Sequence, residues 1–163
     1  MSVRPFLTSE LSRLNGLQGG LETVRVAGPG GESLEIDLVA VDSMSCAFNE
    51  LRLEIPRLRT GGFPALEKWA KALSGRVTYL LENLAPLEFD PALGQVMLRS
   101  VKPDQLPDGS QYYEIILSSS GQGCFSLKRY RTVKGVPGRD PVSIQTTHEV
   151  LLKLSDDLLA TAP

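Results

Sequence analysis

The stretch Tyr112–Arg131 reads YYEIILSSSGQGCFSLKRYR, two alternating apolar–polar runs on either side of a Ser/Gly-rich turn. Serine and glycine clustered between two such runs predict a β-hairpin, with Tyr112–Ser118 and Cys124–Arg131 as its arms and 119–123 as its turn. Side chains two apart on a strand share a face, so the register has to set apolar residues opposite apolar ones. Leu117 then faces Phe125 and Ile115 faces Leu127, which brings Glu114 opposite Lys128 and Tyr112 opposite Tyr130. A slip of one residue would set Ile115 against Ser126 and Glu114 against Leu127.

The same parity extends upstream. Val77, Tyr79, Leu81, Leu87 and Phe89 form an odd-numbered apolar stripe that survives Pro86, as in one bent strand or two collinear ones. Turn chemistry at Asp90–Gly94 separates this stripe from a strand at Gln95–Val101. Lys102–Gln111 and Thr132–Pro141 read as long loops, with a last short strand at Val142–Gln145. The inner sheet face then carries Tyr79, Leu81, Leu87, Phe89, Val96, Leu98, Tyr113, Ile115, Leu117, Phe125 and Leu127. The outer face carries Glu88, Arg99, Tyr112, Glu114, Lys128 and Tyr130.

Two helices bracket these strands. In residues 64–74, Leu66, Trp69, Ala70 and Leu73 fall on one face at the 3.6 period, and Gly75 is placed to end the helix. Residues 147–160 carry Val150, Leu151, Leu154 and Leu158 on one face, behind a capping box of Thr146 and Glu149. Earlier, Thr8 or Ser9 is positioned to cap a short helix bearing Leu11, Leu14 and Leu17. Leu21–Ala27 and the alternating Leu34–Ala40 form a hairpin around Gly28-Pro29-Gly30-Gly31, and Phe48–Ile55 adds a third strand ended by Pro56.

A chain of 163 residues suits one domain spanning 1–163 with a single core. With 42% hydrophobic residues, 22% charged residues and a net charge of −2, neither disorder nor a dedicated polyanion binder is favoured. No window approaches the roughly 20 apolar residues that span a bilayer, and the N-terminal residues lack the pattern of a signal peptide. Cys46 and Cys124 form no CxxC motif, and reduced thiols in a cytoplasmic protein are the simplest expectation.

Chemistry-bearing motifs are few. The glycine-rich turns are not followed by Lys-Ser/Thr and do not open a helix, so they are not phosphate loops. His148 is the only histidine, and no motif supplies it with a nucleophile and an orienting acid. One histidine and two distant cysteines fit no standard metal spacing, and no cofactor is indicated. Asp156–Asp157 and Glu35/Asp37 read as solvated acidic faces. Lys128-Arg129-Tyr130-Arg131, with Lys134 and Arg139 in the next loop, is the densest basic run. Such a run could stack on single-stranded nucleic acid. Cross-strand Glu114 and the net acidity favour instead an ion-pair ladder of Glu88, Arg99, Glu114 and Lys128.

The expected fold is α+β: a bent antiparallel sheet of about six to seven strands, with helices 64–74 and 147–160 packed on one face. In element order, with the strand–turn–strand Leu87–Arg99, the chain resembles the small acidic chaperones of bacterial type III secretion. That resemblance implies a homodimer that holds unfolded protein segments, and it carries over no functional residue. The residues themselves point to a non-catalytic protein-interaction domain, adaptor or chaperone-like, with a protein partner or a second copy and neither nucleic acid nor membrane. Its binding face would be Arg99, Tyr112, Glu114, Lys128 and Tyr130, since Tyr and Arg anchor interfaces. The alternative is a small-molecule binder or weak enzyme with a pocket between sheet and helices.

Overall fold

The hairpin at the centre of the sequence is also the centre of the sheet. In the computed structural model, which describes residues 2–119 and 124–163, Tyr112 lies opposite Tyr130, Glu114 opposite Lys128, Ile115 opposite Leu127 and Leu117 opposite Phe125. This is the register that parity requires. The turn expected at 119–123 lies, apart from Ser119, outside the described residues.

The described residues form three α-helices and ten strands. Helix α1 (Arg4–Arg13) leads into β1 (Gln18–Ala27), β2 (Ser33–Val41) and β3 (Ser45–Glu54). A 3₁₀ turn at Pro56–Thr60 and helix α2 (Gly62–Arg76) follow, then β4 (Leu84–Asp90), β5 (Gln95–Ser100), β6 (Asp104–Leu106) and β7 (Gly109–Ser118). Strands β8 (Cys124–Val133), β9 (Asp140–Val142) and β10 (Ile144–Thr147) precede the closing helix α3 (His148–Thr161). All pairings are antiparallel, and the main path runs β1-β2-β3-β8-β7-β5-β4. The architecture is α+β as expected, with three helices and more strands than the six to seven expected.

The bend has a definite place. Strand β3 pairs with β8 only through Leu51–Glu54, while its other half, Ser45–Phe48, pairs with β10. Likewise β8 leaves β3 after Leu127 and pairs with β9 through Arg129–Arg131. The sheet forks, and β9 and β10 fill the fork. Register shifts between β2 and β3 on either side of Leu38 and Phe48 accommodate the divergence.

Helix α3 packs between α1 and α2, and α2 lies over β4, β5 and β7, giving one helical layer on one sheet face. Leu66, Trp69, Ala70 and Leu73 of α2 are all buried, as are Leu151, Leu154 and Leu158 of α3. Trp69 is 1% exposed, its ring centroid is 6.0 Å from that of Phe125, and its Nε1 donates to Thr161 Oγ1 at 3.1 Å.

Several expectations are corrected. Helix α1 begins at Arg4, because Pro5 suits only a first helical turn; Thr8 and Ser9 lie inside it and do not cap it. The cap of α3 is Thr147, which accepts from the Val150 N–H at 3.2 Å. Thr146 is held extended in β10 opposite Cys46, so the cap moves one residue downstream. Helix α2 runs through Gly75, its last turn tied down by the Arg76–Asp157 ion pair at 2.9 Å. The presumed loop 102–111 contains β6 and the start of β7. A Cβ at Gly109 would sit 1.8 Å from Thr132 O, so only glycine permits this close approach at the start of the ladder.

The upstream apolar stripe is the largest correction. Residues 77–83 are not a strand, because two side chains pull the segment inward: Tyr79 OH donates to Asp157 Oδ2 at 2.8 Å, and Glu82 reaches Arg129. Leu81 is left exposed. A bulge between Pro86 and Glu88 interrupts β4, and Leu87 within it and Phe89 beyond it are exposed as well. The rest of the expected inner face is inside: Val96, Leu98, Tyr113, Ile115, Leu117, Phe125 and Leu127 are buried, and Tyr79 packs against them half-buried.

Glu82 and Arg129 form a buried ion pair, Nη1 to Oε1 at 2.8 Å and Nη2 to Oε2 at 3.1 Å. Ser100 Oγ donates to the same Glu82 oxygen at 2.9 Å and accepts the Tyr113 N–H at 2.8 Å, and the guanidinium sits 4.2 Å from the Tyr113 ring centroid. Two substitutions test this core by chemical denaturation. Trp69→Ala should cost about 3–5 kcal/mol, the range for truncating a buried aromatic. Glu82→Ala, which leaves the buried Arg129 charge uncompensated, should cost about 3–5 kcal/mol.

Candidate functional site

The face of the sheet opposite the helices shows three rows of side chains, set by the ladders among β5, β7 and β8. Directly opposed residues share a face, so Met97, Ile116 and Ser126 form one row and Arg99, Glu114 and Lys128 the next. Tyr112 and Tyr130 form the third. All five residues expected to form the site are therefore brought to one surface.

Glu114 is its centre. The carboxylate is 6% exposed, and Arg99 Nε donates to its Oε2 at 2.8 Å. Arg139, from the loop after β8, grips the same carboxylate with both terminal nitrogens, Nη1 to Oε2 at 2.6 Å and Nη2 to Oε1 at 3.1 Å. Nη1 of Arg139 also donates to Tyr112 OH at 3.2 Å, and its guanidinium carbon lies 3.7 Å from the Tyr130 ring centroid. The Arg99 guanidinium lies 5.2 Å from the Tyr112 ring centroid, and the two tyrosine rings are 6.0 Å apart. Each ring thus has an arginine over it, a geometry favoured by the ring quadrupole. Burial works to raise the Glu114 pKa, but the bonds from Arg139 and Arg99 outweigh it and hold the carboxyl below its ordinary value.

The expected ladder is redrawn. Lys128 faces Glu114 in register but extends to Glu50 of β3, 3.8 Å away, since two guanidiniums already occupy Glu114. Glu88, beyond the β4 bulge, makes no ion pair among the described residues. Arg139 stood out in the sequence only as one cation in a loop; its contact depends on β9, which turns the chain back beside Tyr130.

The basic run Lys128–Arg131 is not one patch. Alternation turns Arg129 inward to Glu82, and Arg131 pairs with Asp108 at 2.9 Å. The acidic residues of β2 and β3 are also more than a solvated face. Arg52 bonds Asp37 at 2.6 Å and Glu50 at 2.8 Å, and lies 3.4 Å from Glu35. Asp156 pairs with Arg4 at 2.7 Å, and buried Asp157 with Arg76.

His148 has its Nε2 3.1 Å from the Ser45 carbonyl oxygen. Cys46 is buried with its sulfur 3.6 Å from Thr146 Oγ1, and burial pushes the thiol pKa up. A cleft of about 610 Å³ lies across the ends of β1, β2, β3 and β10, bordered by Gln18, Ala40, Ala47 and Gln145. A smaller one of about 300 Å³, near Arg129 and Tyr113, opens beside the β9–β10 junction. Among the described residues no group of three or more His, Cys, Asp or Glu is placed to hold a metal ion, and no helix is long and apolar enough to cross a membrane.

Compared with known proteins, the chain matches no family model, no curated protein and no solved structure.

The lowered Glu114 pKa predicts a pH dependence with a definite sign. A carboxyl whose folded pKa lies below its unfolded value of about 4.5 stabilises the fold above that value. The contribution is lost as pH falls through 4.5 towards the folded pKa. Urea midpoints measured from pH 7 to pH 3 should therefore fall less steeply in Glu114→Gln, which is less stable at pH 7, than in the parent chain.

Proposed function

We propose that this chain is a protein-interaction module, adaptor or chaperone-like, and that its working surface is the open sheet face around Glu114. One observation carries the reading. The helical layer lies wholly on the other face, and the face left open presents two tyrosines and two arginines already locked to one another through a single buried carboxylate. Interfaces draw their binding energy from Tyr and Arg held in fixed geometry, because little entropy is then lost on contact. Among the described residues no group of three or more His, Cys, Asp or Glu is placed to hold a metal ion on this face.

The test is a contrast among variants. A photoreactive phenylalanine analogue in place of Tyr112 should crosslink a partner from native lysate. Tyr130→Ala and Arg99→Ala should each weaken capture of that partner by about 1–3 kcal/mol, the range of an interface anchor. Folding should change by only about half a kcal/mol per lost cross-strand pair. A partner captured equally by all variants would place the interaction elsewhere on the molecule.

A further inference from the structure

Arg99 differs from its neighbours in what it leaves unused. Its Nε is committed to Glu114 and its plane lies near the Tyr112 ring, so the side chain is held in place. Among the described residues, neither terminal nitrogen has a hydrogen-bond partner, and the side chain is 36% exposed. Arg139, by contrast, spends both terminal nitrogens on Glu114. The two arginines together overcompensate the single, nearly covered carboxylate. Within this cluster two guanidiniums share one carboxylate, although the chain is net acidic. A planar guanidinium with a free fork matches the two oxygens of a carboxylate.

The next row supplies the other half of the site. Met97 and Ile116 are half-buried and stand directly opposite each other, two residues along from Arg99 and Glu114. On the β4 side Glu88 stands opposite Met97 and borders the row. Rows two residues apart on a strand are separated by roughly 7 Å, which is also the spacing of side chains i and i+2 in an extended segment.

We infer that this face takes an extended protein segment carrying a carboxylate two residues from an apolar side chain, the carboxylate on the free fork of Arg99 and the apolar group on Met97 and Ile116. The inference rests on the interaction reading above and names its partner's chemistry. Single-stranded nucleic acid fits less well. The tyrosine faces that would stack bases already hold arginines, Arg129 is turned into the core, and Arg131 is paired with Asp108. One open fork beside an apolar shelf is not a track of cations.

A displayed library of random dodecapeptides selected on the immobilised full chain tests this directly. Enriched peptides should carry Asp or Glu two positions from an apolar residue, and their binding should weaken as salt is raised. Arg99→Gln should weaken them about tenfold, the loss expected for a charge-assisted hydrogen bond. Arg99→Lys keeps the charge without the fork and should weaken them similarly, while Arg25→Gln, at the far end of the same face, should have no effect. An unchanged melting temperature in each variant separates binding from folding. Peptides without acidic enrichment, full binding by Arg99→Lys, or displacement by an oligothymidylate would overturn the inference. If such peptides were still lost on Tyr130→Ala, the interaction surface itself would stand; if none were, both readings would fail.

Discussion

The ladder between β7 and β8 is the constraint on which the rest of the molecule depends. Its ten paired positions, Gly109 with Val133 through to Ser118 with Cys124, make it the longest unbroken register in the sheet. Both flanks hang from it: β5 and β6 lie end to end along one side of β7, while β3 and β9 do so along β8. Alternation along this ladder sends Tyr113, Ile115, Leu117, Phe125 and Leu127 under the helices. Glu114, Tyr112 and Tyr130 go to the open face. Moving the register by one residue would exchange the core and the surface together, so fold and candidate site are specified by one set of side chains.

Alternation also determines what the charges do. In Lys128-Arg129-Tyr130-Arg131 four polar residues stand side by side in sequence, yet neighbours face opposite ways. Arg129 enters the interior, where an uncompensated cation would be very costly, and Glu82 meets it there. The need to bring a carboxylate to that depth explains why residues 77–83 abandon extended structure. One buried guanidinium thus shapes the connection between α2 and β4 and turns Leu81 out to solvent. On the opposite face a buried carboxylate plays the converse part, gathering Arg99 and Arg139 over the tyrosines.

What was legible in the sequence follows the same division. The hairpin register, the buried face of α2 and the apolar face of α3 were all readable, because each depends on a local period that side-chain polarity records directly. The five residues of the candidate site were readable for the same reason. Arg139 was not, because its reach to Glu114 depends on β9 folding back across the fork in the sheet, and no local period encodes that. Leu81, Leu87 and Phe89 were misplaced because their parity looked continuous. A proline-associated bulge and a buried ion pair far away in sequence broke it. Thr146 and Thr147 are both competent caps, and the choice between them is made by pairing with β3, a tertiary effect.

The open face also shows why a surface can be ordered without being covered. Two tyrosines side by side in water would ordinarily lose rotamer freedom only when a partner arrived. Here Arg139 bonds one tyrosine hydroxyl while stacking on the other ring, and the carboxylate that aligns it is itself nearly covered. The ordering cost is met within the fold, through Glu114, and its bonds grow stronger in the low-dielectric setting that its burial provides. Unused hydrogen-bonding capacity on that face is concentrated at Arg99, whose outer nitrogens have no hydrogen-bond partner among the described residues. A sheet face that gathers its charges around one buried carboxylate, and leaves the fork of one fixed guanidinium open beside half-buried apolar side chains, has the asymmetry that recognition of another chain requires.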